Sequence, residues 1–369
     1  MSVGREHPCY ASDLVIQSMS ALGVEHAALN PGASFRGLHE SLVHAGSVRP
    51  IMCLDEGVAI ALAHGYAKSA GKPMAALLHN IVGLQNGAMA LFNAWIDQVP
   101  MLVVGGSGPA DRTRRRPYMD WIHTANSQVD GVRHHIKWDD QPATAAEWPE
   151  SIATALSHAT TPPYGPAYVA LDALVQEQEI DPARIPVIGL QPVPRAAIPE
   201  ADLDHIVALL RESRRPLIVA DYLGRSESAF DALVELADLT SARVVDIGGR
   251  LNFPSTHPND ATAHRLASLR EADLVLALDV RDLRWVITEE DERDRGYRPV
   301  LAPGVPVVSI GLEAMQTRRV SDREGLVDGA ERYLGDTEIV LPQLVAMLAE
   351  QGVGRAEWPP WLTVSSVKS

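Results

Sequence analysis

Short apolar runs alternate with segments of helical periodicity along the whole chain. The runs occupy residues 27–29, 51–54, 74–78, 99–104, 167–171, 216–220, 243–247, 273–278 and 305–310. Between them, apolar residues recur at the i, i+3, i+4 spacing of amphipathic helices, as in residues 59–67. Strands alternating with helices predict an α/β fold with two Rossmann-like domains, each a mostly parallel sheet flanked by helices. We expect residues 51–54 to form a buried strand and residues 79–87 a polar loop that leads into a helix over residues 88–96.

A proline-rich segment divides the pattern into two halves. It contains Pro186, Pro192, Pro194 and Pro199, a composition typical of a linker. We therefore predict a first domain over residues 1–184, a linker over 185–199, a middle domain over 200–350 and a tail over 351–369.

Composition and charge narrow the classes of partner. Apolar residues make up 46% of the chain, and the formal net charge is −15. This charge argues against binding to nucleic acid or to an anionic membrane, both of which require basic surfaces. No apolar run reaches the length of a membrane span, and the two cysteines, Cys9 and Cys53, form no C-x-x-C pair. The expectation is a cytoplasmic protein with no membrane partner.

One carboxylate lies where an apolar run becomes a helix. Asp55 is the expected N-cap of that helix and Gly71 its expected end, so Glu56 falls in the first turn. An acidic residue there commonly does no more than favour the positive end of the helix dipole. The surrounding residues point to a specific role instead.

The pattern around Glu56 resembles the pyrimidine-binding domain of thiamine-diphosphate-dependent decarboxylases and acetolactate synthases. The matching residues are Glu56, Gly57, Ala59, Gly65, Tyr66, Ala67 and Gly71. The resemblance implies that Glu56 is catalytic: it hydrogen-bonds the cofactor's aminopyrimidine and drives it to the imino tautomer. A carboxyl group donates such a bond only where its surroundings are dry enough to keep it protonated.

The resemblance extends to two further segments that it assigns to the cofactor. The turn with Pro31 and Gly32 matches the family's Pro-Gly loop, which borders the active site. In residues 79–87, Gly83 and Asn86 match the family, whereas Asn80, Ile81 and Val82 replace the usual Ser-Gly-Pro. The implied cofactor-binding residues are Pro31, Gly32, Glu56, Gly83 and Asn86.

Four residues are candidates for contact with substrate. His79 and Asn80 are suited either to binding a substrate carboxylate or to satisfying the backbone of their own loop, and the sequence leaves both interpretations open. The resemblance places His123 and Thr124 where the family approaches the thiazolium ring. Acetolactate synthases tend to carry the longer Gln there, so the substrate class stays open.

Other conspicuous residues are interpreted as structural. The arginine-rich residues 112–116 are typical of a solvated loop rather than an anion site. His134 and His135 lack a metal-ligand spacing. The middle domain resembles one that binds flavin adenine dinucleotide (FAD) in acetolactate synthases. Residues 310–313, however, read Ile-Gly-Leu-Glu where the family often has Ile-Asp-Ile-Asp, which favours a purely structural domain.

The family holds the cofactor diphosphate through Mg²⁺ bound by a third domain, with Gly-Asp-Gly and a later Asn. Residues 327–329 and 334–336 are only partial matches to that motif. The resemblance therefore implies a separate subunit that supplies the diphosphate and metal site, in a hetero-oligomer such as a heterodimer of dimers. Trp358 and Trp361 either dock this partner or fold onto their own domain.

The expected activity follows from the resemblance. It is decarboxylation of a small 2-oxo acid on thiamine diphosphate, with transfer of the acyl-anion equivalent to a proton or to an acceptor carbonyl. Two alternatives remain: a non-catalytic regulatory or binding protein that retains the fold, and a nucleotide-binding middle domain.

Overall fold

A computed structural model describes residues 8–186, 188–291, 293–315 and 327–352 of the chain. The chain divides into two compact units, with the division between Pro194 and Arg195. Residues 188–199 contain neither helix nor strand. Each unit is described by itself.

The first unit is built on a six-stranded sheet. Its strands are β1 (His26–Leu29), β2 (Arg49–Met52), β3 (Met74–Leu78), β4 (Met101–Ser107), β5 (Trp138–Asp140) and β6 (Pro166–Asp172). All neighbouring strands pair in parallel, in the order β2-β1-β3-β4-β6-β5. The carboxyl ends of these strands therefore lie at one edge of the sheet.

Helices cover both faces of this sheet. They are α1 (Ala11–Ala21), α2 (Arg36–Ala45), α3 (Glu56–Ala70), α4 (Asn80–Asn86), α5 (Ala88–Ile96), α6 (Met119–His123), α7 (Trp148–Thr160) and α8 (Ala173–Gln176). Alternate residues of a strand point to opposite faces, and the core divides accordingly. Leu77 packs with Phe35 and Trp148 on one face, whereas Leu78 packs with Ile60 on the other.

The second unit repeats the architecture with five parallel strands. The strands of the unit are β7 (Pro216–Ala220), β8 (Arg243–Asp246), β9 (Leu274–Leu278), β10 (Thr288–Asp291), β11 (Gly296–Pro299), β12 (Val307–Gly311) and β13 (Glu331–Leu334). The sheet order is β13-β12-β9-β7-β8, and β10 and β11 form a separate antiparallel pair. The helices are α9 (Glu200–Glu212), α10 (Glu227–Thr240), α11 (Arg265–Glu271), α12 (Leu283–Val286) and α13 (Thr337–Gln351). The predicted fold class is confirmed.

Two local expectations are wrong. Residues 80–86 form the helix α4 instead of a loop, because its apolar side chains, including the fully buried Leu84, pack into the core beside α3. Residues 51–54 are only partly buried, since β2 is an edge strand; Met52 and Leu54 are 75% and 99% exposed. Among the described residues, no helix is both long and apolar enough to cross a membrane.

Candidate active site

The first unit brings its candidate residues together where the strand order reverses. The chain runs from β1 to β2 on one side and then to β3 on the other, and open parallel sheets bind ligands outside such a point. Ser34, in the turn after β1, lies 2.9 Å from His79 Nδ1 directly after β3. A Cβ built at Gly32 would lie 2.3 Å from His79 Cγ, so this close approach requires glycine.

Glu56 begins α3 at the same edge of the sheet, and its side chain is buried, with 6% exposed. Asn86 Nδ2 donates a hydrogen bond to Glu56 Oε2 at 2.8 Å and another to Asp55 Oδ2 at 2.6 Å. Glu56 Oε1 accepts no hydrogen bond within the described part of the chain. The carboxylate is thus fixed by one oxygen and open at the other.

The start of α3 is set by local chemistry. Asp55 caps the helix by accepting from the backbone N–H groups of Gly57 at 2.7 Å and Val58 at 3.3 Å, and Gly71 ends it with a left-handed φ of 66°. Both ends were predicted from the sequence and are confirmed. The hydrogen bond from Asn86 lowers the pKa of Asp55, which keeps this cap charged.

Asn80 forms local hydrogen bonds at the start of α4. The buried Asn80 has a φ of 35°, its Oδ1 accepts from the backbone N–H of Val82 at 2.9 Å, and its Nδ2 lies 3.1 Å from His79 Nε2. One of the two interpretations offered for Asn80, satisfaction of the local backbone, therefore describes its present contacts.

A cleft of about 330 Å³, including its open mouth, adjoins His79. It is lined by Ala33, Ser34, His79, Asn80, Ser107, Gly108, Arg116, Met119, Asp120, His123 and Ala173. The cleft unites three of the predicted substrate residues, His79, Asn80 and His123. Thr124 lies beside it: its buried Oγ1 has no hydrogen-bond partner among the described residues, and a Cβ on Gly108 would lie 1.9 Å from that oxygen.

The two histidines of the cleft interact with each other. The ring centroids of His79 and His123 are 5.4 Å apart. Burial lowers the pKa of His79, with smaller contributions in the same direction from His123 and His39, while Glu56 acts to raise it. The His79 imidazole is therefore biased toward the neutral form, which can donate from one nitrogen and accept at the other.

The remaining predicted cofactor residues lie outside the lining of this cleft. Pro31 is exposed in the turn after β1. Gly83 is buried in α4, where an added Cβ would lie 2.9 Å from Glu56 Oε1. Asn86, at the end of α4, reaches Glu56 as described above. Gly83 and Asn86 thus form a second group, centred on Glu56.

Sequence reasoning missed the contacts of Ser34 and Asp120. Ser34 joins His79 across a separation of 45 residues, for which the sequence holds no local signal. Asp120 pairs with Arg116 four residues earlier, a spacing that was visible in the sequence. Within the arginine-rich segment, Arg115 Nε donates to the carbonyl of Pro109 at 2.6 Å, and Arg112 and Arg114 are exposed.

Metal ligands are not assembled in the described ranges, where no group of three or more His, Cys, Asp or Glu side chains is placed to hold an ion. His135 packs edge-on against Phe92, with ring centroids 5.7 Å apart. Asp336, in one of the partial Gly-Asp-Gly matches, caps α13 instead. Trp358 and Trp361 lie outside the described residues.

The family models match both units. Residues 10–135 match the N-terminal TPP binding domain of the thiamine pyrophosphate enzymes, and residues 203–321 match their central domain. The chain therefore belongs to the thiamine-diphosphate-dependent enzyme family, as the resemblance around Glu56 indicated.

Individual relatives are distant and longer. The chain is 27% identical over 305 residues to benzoylformate decarboxylase of Pseudomonas aeruginosa, covering 80% of this chain and 54% of the relative. It is 24% identical over 328 residues to the chloroplastic acetolactate synthase of Arabidopsis thaliana, covering 84% of this chain and 46% of the relative. The structure of benzoylformate decarboxylase from Polynucleobacter necessarius shares the fold, with a TM-score of 0.74 and 17% identity, covering 91% of this chain and 61% of that one. The chain thus spans about half the length of the curated relatives it matches.

The residues around Glu56 fit the pyrimidine part of thiamine diphosphate. Glu56 Oε1 is open for a hydrogen bond, Asn86 holds the other oxygen, and Gly83 leaves the carboxylate room. The diphosphate part has no comparable set of oxygen ligands in the described residues.

The corresponding edge of the second unit is occupied by its own ion pairs. Its strand order reverses between β7 and β9. There, Arg281 pairs with the buried Asp221 through Nε at 2.8 Å, and Arg225 Nη2 donates to Asp336 at 2.9 Å. Arg225 Nη1 also pairs with Asp279.

This edge does not fit the diphosphate of FAD. Burial raises the pKa of Asp279, which indicates that the neighbouring arginine does not fully offset the cost of negative charge at this edge. Two glycines at this edge pack against the chain itself: a Cβ on Gly249 would lie 2.3 Å from Asp221 Oδ1, and one on Gly224 would lie 2.0 Å from the carbonyl of Leu251.

Proposed function

We propose that this chain is the pyrimidine-binding subunit of a two-component thiamine-diphosphate-dependent enzyme. The enzyme decarboxylates a small 2-oxo acid and transfers the acyl-anion equivalent to a proton or to an acceptor carbonyl. The observation that carries the proposal is the Glu56 carboxylate, which is buried, held by Asn86 at one oxygen and open at the other.

Glu56 supplies a positioned proton donor and acceptor. Its place at the sheet edge is set by the N-cap Asp55, and its rotamer by the bond from Asn86. Thiamine diphosphate, when bound, supplies an electron sink for the carbanion that forms as the 2-oxo acid loses carbon dioxide. Glu56 would hold the aminopyrimidine through Oε1, with Pro31, Gly32 and Gly83 forming the surrounding backbone.

The cleft beside His79 is the proposed substrate site. His79 is biased toward its neutral form, and its Nε2 would donate to the substrate carboxylate once the substrate displaces Asn80 Nδ2 from that nitrogen, with Nδ1 then accepting from Ser34 Oγ. Ser34 Oγ, 2.9 Å from Nδ1, fixes the orientation of the ring. His123 forms the opposite wall, and Thr124 is a lesser candidate because its oxygen is buried behind Gly108.

A partner subunit would supply the Mg²⁺ and diphosphate ligands, on a domain that carries Gly-Asp-Gly and Asn. The surface around Glu56 supports this part of the proposal. Large apolar side chains are exposed on β2, α3, α4 and α5 and between β2 and α3, namely Met52, Leu54, Val58, Val82 and Met89. Exposed apolar groups of this size are typical of protein interfaces. A heterodimer of dimers would bury them and exclude water from Glu56.

Calorimetry tests the proposal. Thiamine diphosphate and Mg²⁺ are titrated into the chain alone, and then into a mixture with a separately expressed protein that carries Gly-Asp-Gly and Asn from the same gene neighbourhood. Tight binding in the mixture but not in the chain alone is expected. Binding to the chain alone would contradict the two-component assignment. Absence of binding in both samples would contradict the enzyme assignment and favour a regulatory or binding protein that retains the fold.

A further inference from the structure

Helix α6 forms one wall of the cleft, yet it is short and largely exposed. It has five residues, too few to be stable by itself. Three of its apolar residues, Met119, Trp121 and Ile122, are 41%, 78% and 40% exposed. Apolar packing therefore does little to hold α6 in place. Some other interaction must fix its position.

Asp120 is the exception on this helix, since it is only 2% exposed. Its Oδ2 accepts from the backbone N–H of Arg116 at 2.6 Å, and its Oδ1 accepts from Arg116 Nη2 at 2.9 Å. These bonds to Arg116 lower the pKa of Asp120, which stays charged despite its burial. Both oxygens are therefore used to join α6 to the segment that precedes it.

The turn between them is also unusual. Tyr118, directly before α6, has a φ of 66°, which is uncommon for a residue other than glycine. The bonds between Arg116 and Asp120 close over this turn and hold it in place. His123 Nδ1 lies 2.9 Å from the carbonyl of Met119, so the imidazole follows the helix backbone.

We propose that Asp120 is a positioning residue: with Arg116 it holds α6 so that His123 closes the cleft against His79. Both partners line the cleft, but their bonds are directed to each other. The identity of the molecule that binds in the cleft rests on the proposed function. The arrangement of His79 and His123 does not, because both residues belong to this chain.

The test uses the pKa of His79 in the full chain, measured by NMR with histidine labelled at Cε1. Signals are assigned with His79→Gln and His123→Gln. His123 acts to lower the pKa of His79, so His123→Gln should raise it. If Asp120 holds α6, Asp120→Asn should raise it as well. The double variant should show less than the sum of the two shifts, since both act on the same contact.

The sign of the shift separates positioning from simple charge removal. Loss of the Asp120 negative charge would by itself lower the pKa of a nearby histidine. A rise in Asp120→Asn therefore requires that α6 has moved, whereas a fall or no change overturns the proposal. Arg116→Lys is the second variant. The lysine ammonium keeps the positive charge but lacks the planar guanidinium that bonds Asp120, so this variant should also raise the His79 pKa.

Asp139→Asn is the matched control. Asp139 pairs with Arg133 at 3.1 Å in the same unit, away from the cleft lining. It should leave the His79 pKa unchanged even if it lowers the melting temperature. These NMR measurements need no cofactor. Absence of cofactor binding in the calorimetric titration would therefore contradict the proposed function but would leave the role of Asp120 to be decided by NMR. In the assembled enzyme, Asp120→Asn should raise KM more than it lowers kcat.

Discussion

Gly83 lies directly against the carboxylate of Glu56. A Cβ added at Gly83 would lie 2.9 Å from Glu56 Oε1 and 3.0 Å from Cγ, closer than such atoms approach one another. Gly83 is inside α4, where glycine lowers helix stability by about 1 kcal/mol relative to alanine. The chain keeps glycine where the helix would favour alanine, because the carboxylate needs the space.

Gly83→Ala should therefore separate stability from function. The side chain of Glu56 can rotate away from the added methyl group, so the free energy of unfolding should change by no more than about 1 kcal/mol. Displacement of Oε1 should weaken thiamine diphosphate binding in the assembled enzyme at least about tenfold, a loss of about 1.4 kcal/mol. Calorimetry and urea unfolding measure the two effects.

Gly65→Ala is the control for that variant. Gly65 lies within α3, and an added Cβ there would contact nothing within 4 Å. This change should raise the stability of the isolated chain by about 1 kcal/mol. An unaltered cofactor affinity in Gly83→Ala would contradict the role assigned to the space beside Glu56.

Glu56→Gln should abolish most turnover while the chain stays folded. The amide has nearly the same shape, and its oxygen can still accept from Asn86, but it cannot transfer a proton. General acid–base groups typically contribute about 10²- to 10⁴-fold to rate, so kcat should fall at least about a hundredfold. Steady-state kinetics on the assembled enzyme, with Glu40→Gln on the exposed surface as control, provide the measurement. A Glu56→Gln enzyme of normal kcat would exclude this role.

The second unit should bind no FAD. Arg225 and Arg281 are already paired with the buried Asp279 and Asp221, so a diphosphate would have to break these pairs and leave the carboxylates unmatched. The purified chain should show no flavin absorbance near 450 nm, and FAD titrated in large excess should leave its melting temperature unchanged. Stoichiometric flavin in the purified chain, or a rise in melting temperature with FAD, would show that the edge rearranges to admit the dinucleotide.

The sequence predicted those features whose determinants are local. The ends of α3 follow from Asp55 and Gly71, and β3 and α5 were predicted with their observed bounds. The α4 helix was missed because its polar and glycine residues are typical of a loop, while its stability comes from packing against α3. The β10 and β11 pair was missed because its charged residues show no apolar alternation.

The candidate site was predicted in part. Glu56 and Asn86 came from their resemblance to the family, and the structure brings their side chains together. Whether the cofactor binds there stays a prediction. The contact of Ser34 with His79 joins distant segments, and the conformation of Tyr118 before α6 has no signature in residue type. Such features depend on how the strands are ordered in the sheet, which a single sequence does not specify.

Lys137 provides a test of pH dependence in the first unit. Its side chain is mostly buried, its Nζ donates to the carbonyl of Thr161, and burial lowers its pKa from 10.5 to about 8. Between these two pH values the unfolded chain keeps a proton that the folded chain has released. Folding stability contributed by this residue therefore rises with pH across that window.

Lys137→Met should remove this rise. Allowing for the solvent that reaches the side chain, the stability of the wild type relative to Lys137→Met should increase by about 2 kcal/mol between pH 8 and pH 10.5. Urea unfolding at several pH values measures the difference. Lys72→Met is the control, because Lys72 is exposed and its hydrogen bond to Glu25 raises its pKa instead, so the corresponding difference should stay flat in this range. A flat difference for Lys137→Met as well would mean that the Lys137 ammonium is solvated in the folded chain.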